Sequence, residues 1–127
     1  DWYDIKDLVC SLNTVDCYNA KVVQATMGSL TRVNVQYVDL HEYLQTKSTT
    51  IFGTFLEGEN IYVADLPTDG IIVLGNEANG ISEAIEEKVG RKVTIPQFGT
   101  TKATESLNVA NATAILLSEF RRRTIEK

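Results

Sequence analysis

Ile71-Ile72-Val73-Leu74 runs without a polar break into Gly75-Asn76-Glu77-Ala78-Asn79-Gly80, and a helix-like stretch follows. A strand that is apolar on both parities is covered on both faces, which belongs to a parallel sheet packed by helices and not to a sheet with one wet side. This strand is therefore expected in the middle of the sheet. The same alternation recurs along the chain. Residues 5–10, 33–38, 50–55, 71–74 and 92–95 have the short, β-branched character of strands, while 21–27, 41–46 and 82–89 have the composition of short helices between them. Strands alternating with helices predict an α/β fold, a parallel sheet flanked by helices with right-handed crossovers, in a single domain over residues 1–127.

Two of the helices carry further signals. Ser82 is placed to cap the stretch 82–89 ahead of Glu83, Glu86 and Glu87, with Lys88 near its end and Gly90 just beyond. The longest helix is expected over 107–123, where Val109, Ala112, Leu116 and Phe120 recur at steps of three and four residues. Glu119 and Arg123 can pair across one turn. Arg121-Arg122-Arg123 complements the negative end of the helix dipole, so the arginine run reads as a solvated helix end before it reads as an RNA contact. Residues 96–106 form an irregular stretch rich in Thr and Gly, and irregular stretches of that length inside a domain usually serve function.

With 127 residues, 43% of them hydrophobic and 23% charged, the chain suits one globular domain and excludes a disordered tail. No apolar run approaches the roughly 18 residues of a membrane span. The opening Asp1-Trp2-Tyr3-Asp4 shows no signal-peptide pattern, so a cytoplasmic setting is expected. Cys10, Cys17 and the single histidine, His41, offer too few soft ligands for a structural zinc site. No metal is expected, the thiols are read as reduced, and His41 as an ordinary exposed side chain. A net charge of −5 argues against broad attraction to phosphate backbones, while leaving room for a local basic patch.

The segment from Gly75 to Gly80 occupies the position of a ligand loop, with glycines allowing positive φ and close backbone approach. Its alternative is a tight strand-to-helix turn in which Asn and Gly supply left-handed residues. Ile81 stands where a phosphate loop needs lysine, and Gly-x-Gly-x-x-Gly is absent. Neither standard nucleotide motif applies, and a Rossmann-type domain is set aside.

The loop has companions. Pro96-Gln97-Phe98-Gly99 ends the next strand, and Glu105-Ser106-Leu107-Asn108-Val109-Ala110-Asn111-Ala112 opens the long helix. In these residues the chain resembles the SpoU (TrmH-like) branch of the SPOUT methyltransferases, which transfer a methyl group from S-adenosyl-L-methionine to a ribose 2′-hydroxyl of tRNA or rRNA. Lys21-Val22-Val23-Gln24-Ala25-Thr26-Met27-Gly28-Ser29-Leu30 is similar to the family's helix and turn before its middle strands. Val73 to Ile81 is similar to its second motif, and Ile95-Pro96 with Ser106-Leu107-Asn108-Val109-Ala110 to its third.

The resemblance implies a SPOUT fold with a C-terminal deep trefoil knot, a topology that composition alone could never suggest. It implies a cofactor, S-adenosyl-L-methionine, bent within the knot and held mainly by backbone groups. The matching positions are Leu74, Gly75 and Gly80 of the second motif, with Ile95 and Leu107 around the third. Apolar Leu74, Ile95 and Leu107 can sandwich the adenine ring. Glu77, Ser106 and Asn108 are the implied supporting residues of catalysis. Glu77 can position the ribose or sit near the positive end of the 82–89 helix, and Ser106 and Asn108 can cap the last helix while lining the site. Implied partners are tRNA or rRNA and a second copy of the chain in a homodimer. The alternative on the same scaffold is a noncatalytic RNA-binding or assembly module.

One departure stands out. The family assigns proton handling to an arginine in a first motif, Asn-x-Gly-x-x-x-Arg, and no stretch of this chain matches it. Arg32, Arg91, Arg121, Arg122 and Arg123 occupy other places in the pattern. The chain is therefore expected to be a methyltransferase domain truncated before its first motif, with its N-terminal part missing and without turnover by itself.

Overall fold

Short apolar runs become strands here because each finds a parallel neighbour, as the computed structural model shows for the described residues 2–12, 32–75, 80–99 and 107–125. Two units, residues 1–47 and 48–127, are each described by themselves. The expected helix over 21–27 and the motif block from Lys21 to Leu30 lie outside the described residues.

In the first unit, β1 (Asp7–Ser11) pairs in parallel with β2 (Asn34–Val38), in a register running from Asp7 opposite Asn34 to Ser11 opposite Val38. Along β2 Asn34 and Gln36 face out while Val35 and Tyr37 are half-buried, the period-2 pattern of a strand with one covered face. The Asn34 side chain donates to the Asp7 carboxylate at 3.1 Å, which ties the two strand starts together. Helix α1 (Leu40–Gln45) follows at once, capped by Asp39, whose carboxylate accepts from the Glu42 amide at 3.3 Å. His41 on this helix is half-buried, not exposed as its sequence context suggested.

The second unit holds β3 (Ile51–Asn60), β4 (Ile71–Val73), α2 (Glu83–Glu86), β5 (Arg91–Thr94) and α3 (Val109–Arg122). Its three-stranded sheet has the order β4-β3-β5, with both pairs parallel. The core gathers Phe52, Ile61, Ala64, Leu66, Val93 and Leu116, with Ile72, Leu74, Ile95, Ile115 and Phe120 packed against it. Phe52 is fully buried, and its ring meets Phe120 edge-on at 5.1 Å and 81°, so the last helix is fastened over the middle strand by a favoured aromatic geometry.

Among the described strands, Ile71–Val73 pairs with β3, the middle one of this three-stranded sheet. Two expectations are corrected. Strand β3 runs on to Asn60, five residues past the expected end at 55, with a register irregularity between Thr54 and Glu59 where both oppose Val93. Helix α2 is only four residues long, then tightens as Lys88 and Val89 donate to the carbonyls of Ile85 and Glu86. The Gly90 amide, bonded to the Ile51 carbonyl at 2.8 Å, pulls the chain into the sheet and ends the helix early.

Candidate functional site

Because β4 and β5 both run parallel to β3, their carboxyl ends open at the same edge of the sheet, the edge where open α/β sheets bind ligands. Val73 lies opposite Gly53 and Val93 opposite Thr54, so the last strand residues, Val73 and Thr94, end about two residues apart in level, roughly 7 Å. Leu74-Gly75 and Ile95-Pro96 follow immediately, with their peptide groups past the ends of the ladders. Leu74 and Ile95 are half-buried and share one core.

Closure of the glycine loop is steric at one end and conformational at the other. A Cβ on Gly75 would lie 2.6 Å from the Gly80 carbonyl carbon and 2.8 Å from the Gly80 Cα and the Ile81 nitrogen. Gly75 is therefore needed because the backbone of Gly80 and Ile81 lies against it. Gly80 has φ of +67°, the left-handed region, and a Cβ there would meet nothing within 4 Å among the described residues. Beyond it Ser82 caps α2 as expected, its hydroxyl accepting from the Ile85 amide at 3.4 Å.

Helix α3 begins at Val109. Asn108 is its cap: the side-chain oxygen accepts from the Ala110 amide at 2.8 Å, and the main-chain carbonyl accepts from Ala112 at 2.9 Å. Its side-chain NH2 group plays no part in that cap. Leu107, just before it, is 48% exposed. Of the residues singled out from sequence, Leu74, Gly75, Gly80 and Ile95 are gathered at one sheet edge, and Leu107 and Asn108 open a helix packed on the same core. Glu77 and Ser106 lie outside the described residues.

Two arginines near this core carry structure that sequence reasoning missed. Arg91 on β5 grips Glu59 with two bonds of 2.9 Å, donates at 2.9 Å to the Asp65 carbonyl and stacks 5.1 Å above the Phe52 ring. The guanidinium holds the Glu59 carboxyl below its usual range, chiefly through the hydrogen bonds. Arg123 donates to the carbonyls of Ala64 at 2.6 Å and Ile61 at 2.8 Å and to Glu119 at 3.1 Å. The arginine run is thus divided. Arg122 is largely solvated while bonding Glu119, but Arg123 is a half-buried tie and not the solvated end expected for it. Glu119 is only 6% exposed, and bonds from Arg122 first and Arg123 second hold its carboxyl low against the opposing pull of burial. The spacing of Glu119 and Arg123 announced their pairing, whereas nothing in the sequence pointed to the carbonyl partners.

A parallel sheet with glycines past the end of one strand and a capped terminal helix packed on its core defines a class, and comparison with known proteins specifies it. The SpoU rRNA Methylase family model matches residues 2–118. A TrmH-family structure from Porphyromonas gingivalis superposes with a TM-score of 0.89 at 40% identity, covering 97% of this chain and 51% of that one. An AdoMet-bound rRNA methyltransferase from Sinorhizobium meliloti superposes with a TM-score of 0.84 at 26% identity, covering 98% and 49%. The tRNA (guanosine(18)-2'-O)-methyltransferase of Aquifex aeolicus is 35% identical over 108 residues, which are 80% of this chain and 50% of that protein. The chain belongs to the SpoU methylase family, and its α/β fold is that of the TrmH/SpoU enzymes. It spans about half the length of these relatives. No helix among the described residues is long and apolar enough to cross a membrane.

Proposed function

We propose that this chain is the cofactor-binding portion of an S-adenosyl-L-methionine-dependent RNA ribose 2′-O-methyltransferase. The observation that carries this reading is the shared edge: the carboxyl ends of β4 and β5 open together, Gly75 and Gly80 meet just past β4, and α3 packs on the core that Leu74 and Ile95 share. The residues fit the cofactor's chemistry. Peptide groups past the strand ends offer donors and acceptors to an adenine edge, Leu74 and Ile95 present partly buried apolar surface, and the space beside Gly80 is open.

When bound, S-adenosylmethionine would supply an electrophilic sulfonium methyl, which a ribose 2′-oxygen would take in line as the thioether sulfur leaves. The chain's own work is positional. Leu74, Ile95 and Leu107 flank the adenine, the backbone around Gly75 and Gly80 reads its polar edge, and Asn108 turns its side-chain NH2 towards the reacting groups while its oxygen caps α3. Glu77 and Ser106 support the ribose. We take the last helix to thread the loop as a trefoil knot, residues 1–127 to form one methyltransferase domain, and the working enzyme to be a cytoplasmic homodimer acting on tRNA or rRNA. The exposed apolar side chains of Leu56, Val63 and Phe98 are compatible with a second copy covering them. The Asn-x-Gly-x-x-x-Arg motif that would ease loss of the hydroxyl proton has no match here, so this stretch binds cofactor without turning over.

Calorimetric titration of the chain with S-adenosylmethionine tests the reading. One saturable site is expected, weakened when Ile95 is replaced by Asp; no heat at millimolar ligand contradicts it. Methyl incorporation into RNA by a chain extended upstream to include a first motif separates the enzyme from a noncatalytic RNA-binding or assembly module, which would stay silent.

A further inference from the structure

Among the described residues, few ties fix the first half of α3, the end taken to face the proposed pocket. Its buried residues are Leu116 and Glu119, both in the second half, while Val109, Ala112 and Thr113 are only half-buried and Ala110 and Asn111 exposed. The strongest ties cluster at the other end. Phe120 meets Phe52, and Arg123, braced by Glu119, takes the carbonyls of Ile61 and Ala64.

The segment that receives Arg123 is itself held from a second direction. The Ile61 amide donates to the Thr94 carbonyl at 3.1 Å, and Arg91 takes the Asp65 carbonyl at 2.9 Å. Ile61, Ala64 and Leu66 are meanwhile buried in the core. Residues 61–66 are thus a short bridge whose carbonyls are gripped by guanidinium groups from β5 on one side and α3 on the other. A planar guanidinium can serve two carbonyls and a carboxylate at fixed angles, which a lysine ammonium on a flexible stem does not reproduce. A helix of 14 residues is about 21 Å long and stiff, so a shift where Arg123 is seated is carried to Asn108.

We propose that Arg123, seated on the 61–66 bridge and braced by Glu119, is a positioning residue that sets where Leu107 and Asn108 stand relative to the ends of β4 and β5. The proposal rests on reading that edge as the cofactor pocket. Its consequence is steep, because a misplacement of about 1 Å at a reacting site can cost on the order of a hundredfold.

The test uses Arg123→Lys, which keeps the charge but not the fork, and Glu119→Gln, which keeps the shape but not the charge. For each, calorimetric affinity for S-adenosylmethionine is measured together with amide hydrogen exchange. Expected for Arg123→Lys are a Kd raised about tenfold and faster exchange of the amides of residues 112–115, while Phe52 and Val93 keep their protection. Glu119→Gln is expected to act in the same direction and more weakly. Unchanged affinity and exchange in both variants overturn the proposal, and so does protection lost throughout residues 48–127, which would make Arg123 a general stability residue. If the unaltered chain fails to bind the cofactor, the pocket reading fails and the exchange pattern alone decides the role of Arg123: selective loosening of the first half of α3 supports it, uniform or no loosening refutes it.

Discussion

The two ends of α3 are built on opposite principles. The second half is anchored by an apolar residue, an aromatic contact and a buried carboxylate between two arginines, so its position is determined several times over. The first half has a single cap, Asn108, and no fully buried side chain. The contrast teaches how a binding edge can be left sparsely packed while its geometry stays defined: the rigid end places the open one. Local stability is expected to be uneven along one helix for this reason.

The sharpest way to break the comparison is to remove the apolar anchor. Leu116→Ala leaves a cavity beside Phe52 and Val93 and is expected to cost about 3 kcal/mol, read as a lowered urea midpoint. Removing the polar anchor is next: Glu119→Ala leaves two arginines without their carboxylate. About 2 kcal/mol is expected, below the usual loss for a buried pair because Arg122 is 56% exposed.

Acid provides the same break without a mutation. The folded-state pKa of Glu119 is lowered, so its contribution is fully present above the unfolded value of about 4.3 and is lost as pH falls through the folded one. Glu59 acts in the same direction, more weakly because it is more exposed. Urea midpoints are therefore expected to fall between pH 5 and pH 3 by more in the unaltered chain than in Glu119→Gln; equal falls would remove Glu119 from the account. At the sparsely held end the effects are smallest. Asn108→Ala is expected to cost about 1 kcal/mol through the lost cap. Gly80→Ala is expected to cost about as much through its left-handed backbone, since no atom of the described residues would lie within 4 Å of its Cβ. A loss at Asn108 as large as that at Leu116 would erase the distinction between the two ends.

Much of the molecule was legible in its residue patterns. Apolar runs located the described strands, Ser82 and Asn108 announced their caps, and periodicity marked α3 from Val109 onward. What stayed hidden was set by partners distant in sequence. The end of β3 at Glu57-Gly58-Glu59 runs past the strand expected over 50–55, and there Arg91, 32 residues further on, takes Glu59 in a two-pronged bond. Arg123 reads as a charged helix end, and its carbonyl partners lie 59 and 62 residues earlier. The pairing of Ile71–Val73 with β3 was illegible because side-chain pattern reports faces and not strand neighbours. At the site, the glycines announced an unusual loop, but only coordinates separate Gly75, required by close approach, from Gly80, required by its φ.

Amide chemical-shift mapping of the labelled chain during titration with S-adenosylmethionine tests the cofactor edge most directly. Saturable shifts are predicted to concentrate at Leu74, Gly75, Gly80, Ile95 and Leu107, with Arg121 to Thr124 at the anchored end of α3 little changed. Shifts absent from the first group, or largest at the anchored end, would contradict the placement of the cofactor between the strand ends and the start of the last helix.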